Sequence, residues 1–265
     1  MKVLFWGSPD FALPSLRALL DAGHDVVGVV TNPDRPAGRG REPRPTPVKE
    51  EALRHDLPVL QPERPQGEDF RARLRDLSPD VSAVAAYGQI LRPEVLELPD
   101  RGSLNVHASL LPELRGAAPI NWAVIRGHER TGVTIMRMVE ELDAGPILVQ
   151  REVEIGPRAT AGDLFGRLAP LGGEALVEAL DLMERGGLEE REQDHDRATY
   201  APKLDSETAR LDWSLPAREV DRWIRGLDPW PGAWSELGGE TRVGLYAPEG
   251  GEEAAAGGEA GAGEA

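Results

Sequence analysis

The first half of the chain alternates short β-branched stretches with amphipathic ones, and this alternation constrains the fold more than any other feature. Residues 2–7, 26–31, 57–61, 81–86 and 103–108 read as strands. The second of these is an almost unbroken apolar run, as expected for a strand buried on both faces. Between them, Phe11, Leu13, Leu16, Leu19 and Leu20 recur at helical spacing, with Ser8 placed to cap the helix. Segments 46–55 and 67–77 carry helical patterns too. Such a rhythm predicts an α/β fold with a doubly wound, mostly parallel sheet of Rossmann type and right-handed crossovers. Its ligand site belongs beyond the carboxyl ends of the strands, near a switch in strand order.

Further on, 117–126 is expected to be helical, and 131–138 and 147–155 to be strands joined by the loop 140–145. Residues 160–186 read as a helix broken near 170–173, where Pro170 precedes two glycines. The character changes past 205. A helix is expected over 217–225, a turn at 228–232 and two short strands at 234–237 and 242–246. From 247 onward the chain holds only Ala, Gly, Glu and one Pro, with five Glu and no base. That tail is expected to be disordered.

Composition narrows the function. The 265 residues include no cysteine, which excludes disulfides, Cys-ligated zinc, iron–sulfur clusters and thiol catalysis. No apolar run approaches the ~18 residues a membrane helix needs, and the start does not read as a signal peptide. A cytoplasmic protein with no membrane partner is expected. The net charge of −16 argues against a surface that coats nucleic acid throughout, but not against a local basic patch.

The first strand runs into GSPDF, which is neither a dinucleotide fingerprint nor a phosphate-binding P-loop. The informative stretch is 103–145. Asn105 and His107 stand two apart on a predicted strand, so their side chains share one face. An amide beside an imidazole suits acyl-group chemistry, because both can donate to a developing oxyanion. Asp143, in ELDAGP, can fix the imidazole's tautomer and relay protons. Asn-x-His on a strand is also a common structural pattern, and Asp before Ala-Gly a common turn. Spacing alone leaves both readings open. His24, His55, His128 and His195 are scattered and form no metal cluster, so no metal is expected. A second stretch, 32–49, gathers Arg35, Arg39, Arg41, Arg44 and Lys49 in a Pro- and Gly-rich loop suited to phosphate contacts. It reads equally as a solvated loop whose arginines pair with surface acids.

The segment LNVHASLLPELRGAAPINWAVIRGHERTGVTIMRMVEELDAGPIL resembles the core motif of folate-dependent formyltransferases. FWGSPDFALPSLRALL, VVGVVTNPDRPAGRGR, TPVK, AAYGQIL, ATYAPKL, RLDWSLPA and DPWPGAW resemble that family in the same order, over residues 1–246. The resemblance implies a catalytic set of Asn105, His107 and Asp143. It implies a tetrahydrofolate-binding loop at Ser109, Leu110, Leu111 and Pro112, and a pterin-pocket wall at Tyr87, Gly88, Gln89 and Ile90. Arg35, Arg39, Arg41 and Arg44 would then lie near a tRNA acceptor stem. The branch it resembles most moves the formyl group of 10-formyltetrahydrofolate onto the amino group of methionyl initiator tRNA, without a metal.

On this basis residues 1–205 are expected to form the catalytic domain. Residues 206–246 would be part of a C-terminal tRNA-binding β-barrel packed on it by helix and tryptophans, and 247–265 a tail. Two features depart from the family. Glu113 stands where a basic residue is usual, and the later barrel strands are replaced by the tail, which implies weakened tRNA binding. A monomer is expected. The alternatives are a folate-dependent formyltransferase acting on a small amine, a hydrolase acting with water, or an inactive truncated copy.

Overall fold

The computed structural model describes residues 1–37, 42–239 and 241–247. In chain order the elements are β1 (Lys2–Gly7), α1 (Leu13–Asp21), β2 (Asp25–Val30), β3 (Arg35–Ala37), β4 (Glu42–Arg44), α2 (Pro47–Arg54), β5 (Val59–Leu60), α3 (Glu68–Leu77), β6 (Val81–Ala85) and α4 (Pro93–Leu96). They continue with β7 (Ser103–His107), β8 (Arg115–Gly116), α5 (Pro119–Ile125), β9 (Arg130–Arg137), β10 (Ile147–Glu154), α6 (Ala161–Glu184), β11 (Tyr200–Ala201), α7 (Ala217–Leu227), β12 (Ala233–Leu237) and β13 (Thr241–Leu245).

A seven-stranded sheet runs in the order β10-β9-β7-β6-β1-β2-β5. The five strands from β7 to β5 are parallel, and β9 and β10 extend the β7 edge in antiparallel fashion. Strand order reverses between β1 and β6, so the ends of β1, β6 and β7 open on one crevice. Two apolar layers hold the sheet. On one face, Val3, Phe5, Ala83, Ala85, Leu104 and Val106 pack with Leu16 and Leu19 of α1 and Leu168 and Leu176 of α6. On the other, Leu4, Trp6, Val30 and Val84 pack with Phe70 and Leu74 of α3 and Val95 and Leu96 of α4. Strand alternation thus divides each strand between two cores.

The expected break in the helix over 160–186 does not occur: α6 runs unbroken with Pro170 inside it. The glycines there serve close packing. A Cβ on Gly172 would lie 2.7 Å from Val106 Cγ1, and one on Gly173 would lie 2.8 Å from the Pro14 carbonyl. Buried Leu164, Leu168, Leu176 and Leu180 hold the helix on the sheet across the proline. Ser8 does not cap α1. Its Oγ instead accepts from the backbone N–H and the side-chain amide of Asn32, at 3.1 and 2.9 Å.

A small C-terminal unit packs on α5. Leu204, Ala209, Leu211, Val220, Leu227 and Ala233 form a cluster with Ala118 and Ile125. Trp223 meets Trp122 edge to face at 5.6 Å. Among the described residues this unit holds one helix, α7, and the two-stranded sheet β12–β13. Residues 248–265, expected to be disordered, lie outside the described residues.

Candidate active site

Val30, Trp6, Val84, Asn105 and Met136 form one row across the sheet, read from the strand register. Asn105 therefore sits on the face opposite α6, and His107, two residues on, ends β7 on that same face. Both belong to β7, which lies next to β6 on one side of the switch in order. Asn105 is half-buried, and its amide bonds to no group among the described residues.

His107 is buried, and its Nε2 lies 2.9 Å from the Leu114 carbonyl oxygen. A carbonyl only accepts, so Nε2 carries the proton. The other ring nitrogen, Nδ1, faces Asp143 Oδ2 at 3.7 Å. Asp143 arrives from the β9–β10 loop, which folds back over the end of β7. Its Oδ2 accepts the Gly116 N–H at 2.9 Å. Gly116 has φ +111, and a Cβ there would lie 2.6 Å from Tyr200 Cε2 and 2.7 Å from the Ala201 carbonyl. Only glycine supplies that N–H at that place. The structure thus brings His107 and Asp143 together, with Asn105 beside His107 on the same strand.

The Ser109–Pro112 loop is fastened from behind. Ser109 is fully buried and donates to the Glu113 carbonyl at 2.6 Å. Thr134 Oγ1 donates to the Ser109 carbonyl at 2.6 Å, and Gln150 Nε2 donates to that of Leu111 at 3.0 Å. Leu111 is buried as well, so Leu110 and Pro112 are the members that present surface. A cavity of about 480 Å³ adjoins this loop, lined by Leu110, Arg130, Gln150, Arg191 and Arg197 among others. Its arginines meet protein partners, as Arg130 meets Glu152 at 3.1 Å and Arg191 meets Gln150 at 3.1 Å.

Tyr87 leaves the end of β6 and is buried edge to face against Trp6 at 5.3 Å. Burial pushes its phenol up to about 12, and its hydroxyl has no partner. Beyond it, Gly88 and Ile90 are exposed, and the N–H groups of Gly88, Gln89 and Ile90 donate to nothing among the described residues. The Gln89 side chain donates to Asn32 Oδ1 at 2.6 Å, so it braces the neighbouring loop.

That neighbour is the basic segment. It forms a hairpin, β3–β4, where sequence pattern indicated only a loop. Arg35 pairs with exposed Glu63 at 3.0 Å, whereas exposed Arg44 has no ion pair among the described residues. Lys49 is taken up by Asp34 at 2.7 Å. Hydrogen bonds from Gln61 and then Lys49 hold the Asp34 carboxyl below its usual range. Arg39 and Arg41 lie outside the described residues. Glu113 faces His128 Nδ1 at 3.6 Å and Arg197 at 3.7 Å, so its charge is met within the protein.

Pattern reading missed Gln193, Thr199 and the short pair β8–β11. Thr199 Oγ1 accepts the Leu114 N–H at 2.8 Å, and β11 pairs Tyr200 with Arg115 and Ala201 with Gly116. Two-residue strands leave no periodicity to detect. The motif ATYAPKL was the available signal for Thr199 and β11.

An open α/β sheet thus carries a His–Asp pair at its carboxyl edge, beside an amide that bonds to no group among the described residues. The chain belongs to the formyl transferase family: the model described as formyl transferase matches residues 1–180, and that of the formyl transferase C-terminal domain matches residues 203–264. Methionyl-tRNA formyltransferase of Bacillus thuringiensis subsp. konkukian (strain 97-27) is 50% identical over 241 residues, covering 91% of this chain and 77% of the relative. Two solved structures share the fold. A sugar N-formyltransferase from Shewanella sp. FDAARGOS_354 superposes with TM-score 0.71 at 18% identity, covering 93% of this chain and 96% of that one. HypX from Aquifex aeolicus in complex with tetrahydrofolic acid gives TM-score 0.65 at 22% identity over 93% of this chain, which spans 37% of that protein. Among the described residues, no helix is long and apolar enough to cross a membrane, and no group of three or more His, Cys, Asp or Glu is placed to hold a metal ion.

Proposed function

We propose that this chain transfers the formyl group of 10-formyltetrahydrofolate to the amino group of methionyl initiator tRNA. One observation carries the reading: Asn105, His107 and Asp143 gather at the crevice edge of β7 in a chain 50% identical to a methionyl-tRNA formyltransferase. The folate supplies an activated formyl carbon on a nitrogen that leaves readily only when protonated. Asn105 offers an amide N–H to the oxygen that gains charge as the amine adds, an effect of about 3–4 kcal/mol per donor. His107 has its Nε2–H engaged by Leu114, so Nδ1, the ring nitrogen that faces Asp143, is the one left for the reacting groups. Asp143 is fixed through Oδ2 and keeps Oδ1 to take the amine's proton and return it to the folate nitrogen as the C–N bond to that nitrogen breaks. General acid–base action of this kind is typically worth about 10²–10⁴-fold.

The residues present fit a folate. The unpaired backbone N–H groups at Gly88, Gln89 and Ile90 match the acceptors on the edge of a flat heterocycle, on a segment held from within by the buried Tyr87–Trp6 pair. We assign the pterin to Tyr87–Ile90 and the adjoining ring system to Leu110 and Pro112, with Ser109 and Leu111 shaping that loop from within. The acceptor's phosphates are assigned to Arg35, Arg39, Arg41 and Arg44. Residues 1–205 then carry the chemistry, and 206–246 extend the acceptor surface. All these groups come from one chain, so a monomer suffices.

The test is formyl transfer from 10-formyltetrahydrofolate to charged initiator tRNA, with His107→Ala as control. Transfer that is lost in the control supports the reading. Transfer to free amines or water but not to the charged tRNA contradicts it.

A further inference from the structure

Asp143 has φ +50, a backbone region that a residue with a side chain seldom occupies without support. The support comes from Gln193, on the segment between α6 and β11. Gln193 is 5% exposed. Its Nε2 donates to the Asp143 carbonyl at 2.8 Å and to the Gly145 carbonyl at 2.7 Å. One amide therefore spans the turn on both sides of Ala144. Its oxygen is engaged as well, accepting from Arg115 Nε at 3.1 Å and Arg115 Nη2 at 2.8 Å. Arg115 is itself buried and meets His195 Nδ1 at 3.1 Å. Arg115 is also the residue before Gly116, whose N–H holds the Asp143 carboxylate. The backbone and the carboxylate of Asp143 are thus anchored to one buried unit.

We infer that Gln193 is a positioning residue for formyl transfer: it sets the place of the Asp143 carboxylate through the Asp143 and Gly145 carbonyls, with Arg115 fixing Gln193 in turn. This rests on the assignment of Asp143 to proton transfer. A glutamine is suited to the task because its amide offers two donors and an acceptor with no charge beside a working carboxylate. A side chain without donors leaves two buried carbonyls unpaired and frees the turn to relax. A displacement of about an ångström in a reacting group can lower the rate by about 10²-fold.

The experiment is a double-mutant cycle read as the single-turnover rate of formyl transfer to charged initiator tRNA, with Gln193→Met, Asp143→Asn and the pair. Gln193→Met is expected to lower the rate by about 10- to 100-fold with KM values within about twofold, and to lower it less than about twofold once Asp143 is Asn. Gln193→Glu, which keeps the acceptor for Arg115 and loses the donors, is expected to behave alike and serves if the first variant does not fold. A wild-type rate in a folded Gln193 variant overturns the inference. So does an equal fold-loss in both backgrounds, the mark of a role in stability alone. If Asp143→Asn keeps the full rate, the assignment of Asp143 fails and the inference falls with it, a result separable from failure at Gln193 alone.

Discussion

Two regions flank the crevice and are built in opposite ways. The turn that carries Asp143 is tied down from beneath: Gln193 holds two of its carbonyls, Gly116 holds its carboxylate, and Gln193 and the Arg115 that fixes it are buried. The opposite wall is open. Arg35 and its partner Glu63 both stand in solvent, and Arg44 is exposed. Groups that must meet a reacting atom gain from fixed geometry. Groups that must meet a long polyanion gain from charge and reach, since counterion release drives such binding. One side of the crevice is therefore assigned to chemistry and the other to the acceptor.

The contrast can be broken most sharply at the bound side. Asp143→Asn is expected to lower kcat by about 10²–10⁴-fold with little change in KM, measured at saturating tRNA. Next in size is Gly116→Ala. A methyl group would collide with the Tyr200 ring and the Ala201 carbonyl at φ +111. That substitution is expected to lower stability by about 2–3 kcal/mol and the transfer rate with it, seen as a reduced melting temperature beside the assay. At the open side, Arg44→Ala is expected to raise KM for charged tRNA several-fold and to leave kcat alone. Its salt dependence should become shallower by about one unit in log KM against log salt.

The smallest effect lies away from the crevice, at the pair joining α1 to α2. Glu51 is buried and takes Arg17 at 2.6 and 3.0 Å, with Arg54 beside it. The Arg17 hydrogen bonds hold its carboxyl down to about 2, from an ordinary 4.5. The folded state therefore binds this proton less readily than the unfolded state. The stability so gained is present above about pH 4.5 and is lost as pH falls toward 2. Glu51→Gln is expected to reduce stability by about 1–2 kcal/mol at neutral pH, to flatten the acid limb of the unfolding curve, and to leave transfer kinetics unchanged.

What the sequence conveyed follows the same divide between pattern and contact. Strand alternation placed Asn105 and His107 on one face, and the register across Trp6, Val84 and Met136 bears that out. The five parallel strands were legible because buried parallel strands are apolar runs. Proline and glycine were misread at 170–173, since a helix-breaking pattern and a close-packing pattern use the same letters. There the cue to a continuous helix is tertiary, a Cβ at Gly172 meeting Val106. Gln193 left no signal, because a lone glutamine reads as surface until the fold brings it under Asp143. Ser109 and Leu111 show the converse: their motif was visible in sequence, but their side chains turn inward and shape the loop.

The most direct measurement compares Asp143→Asn and Arg44→Ala side by side for kcat and KM with charged initiator tRNA. The account predicts a fall confined to kcat in the first and a rise confined to KM in the second. If both variants move the same parameter, the crevice is not divided between chemistry and acceptor, and the account is wrong.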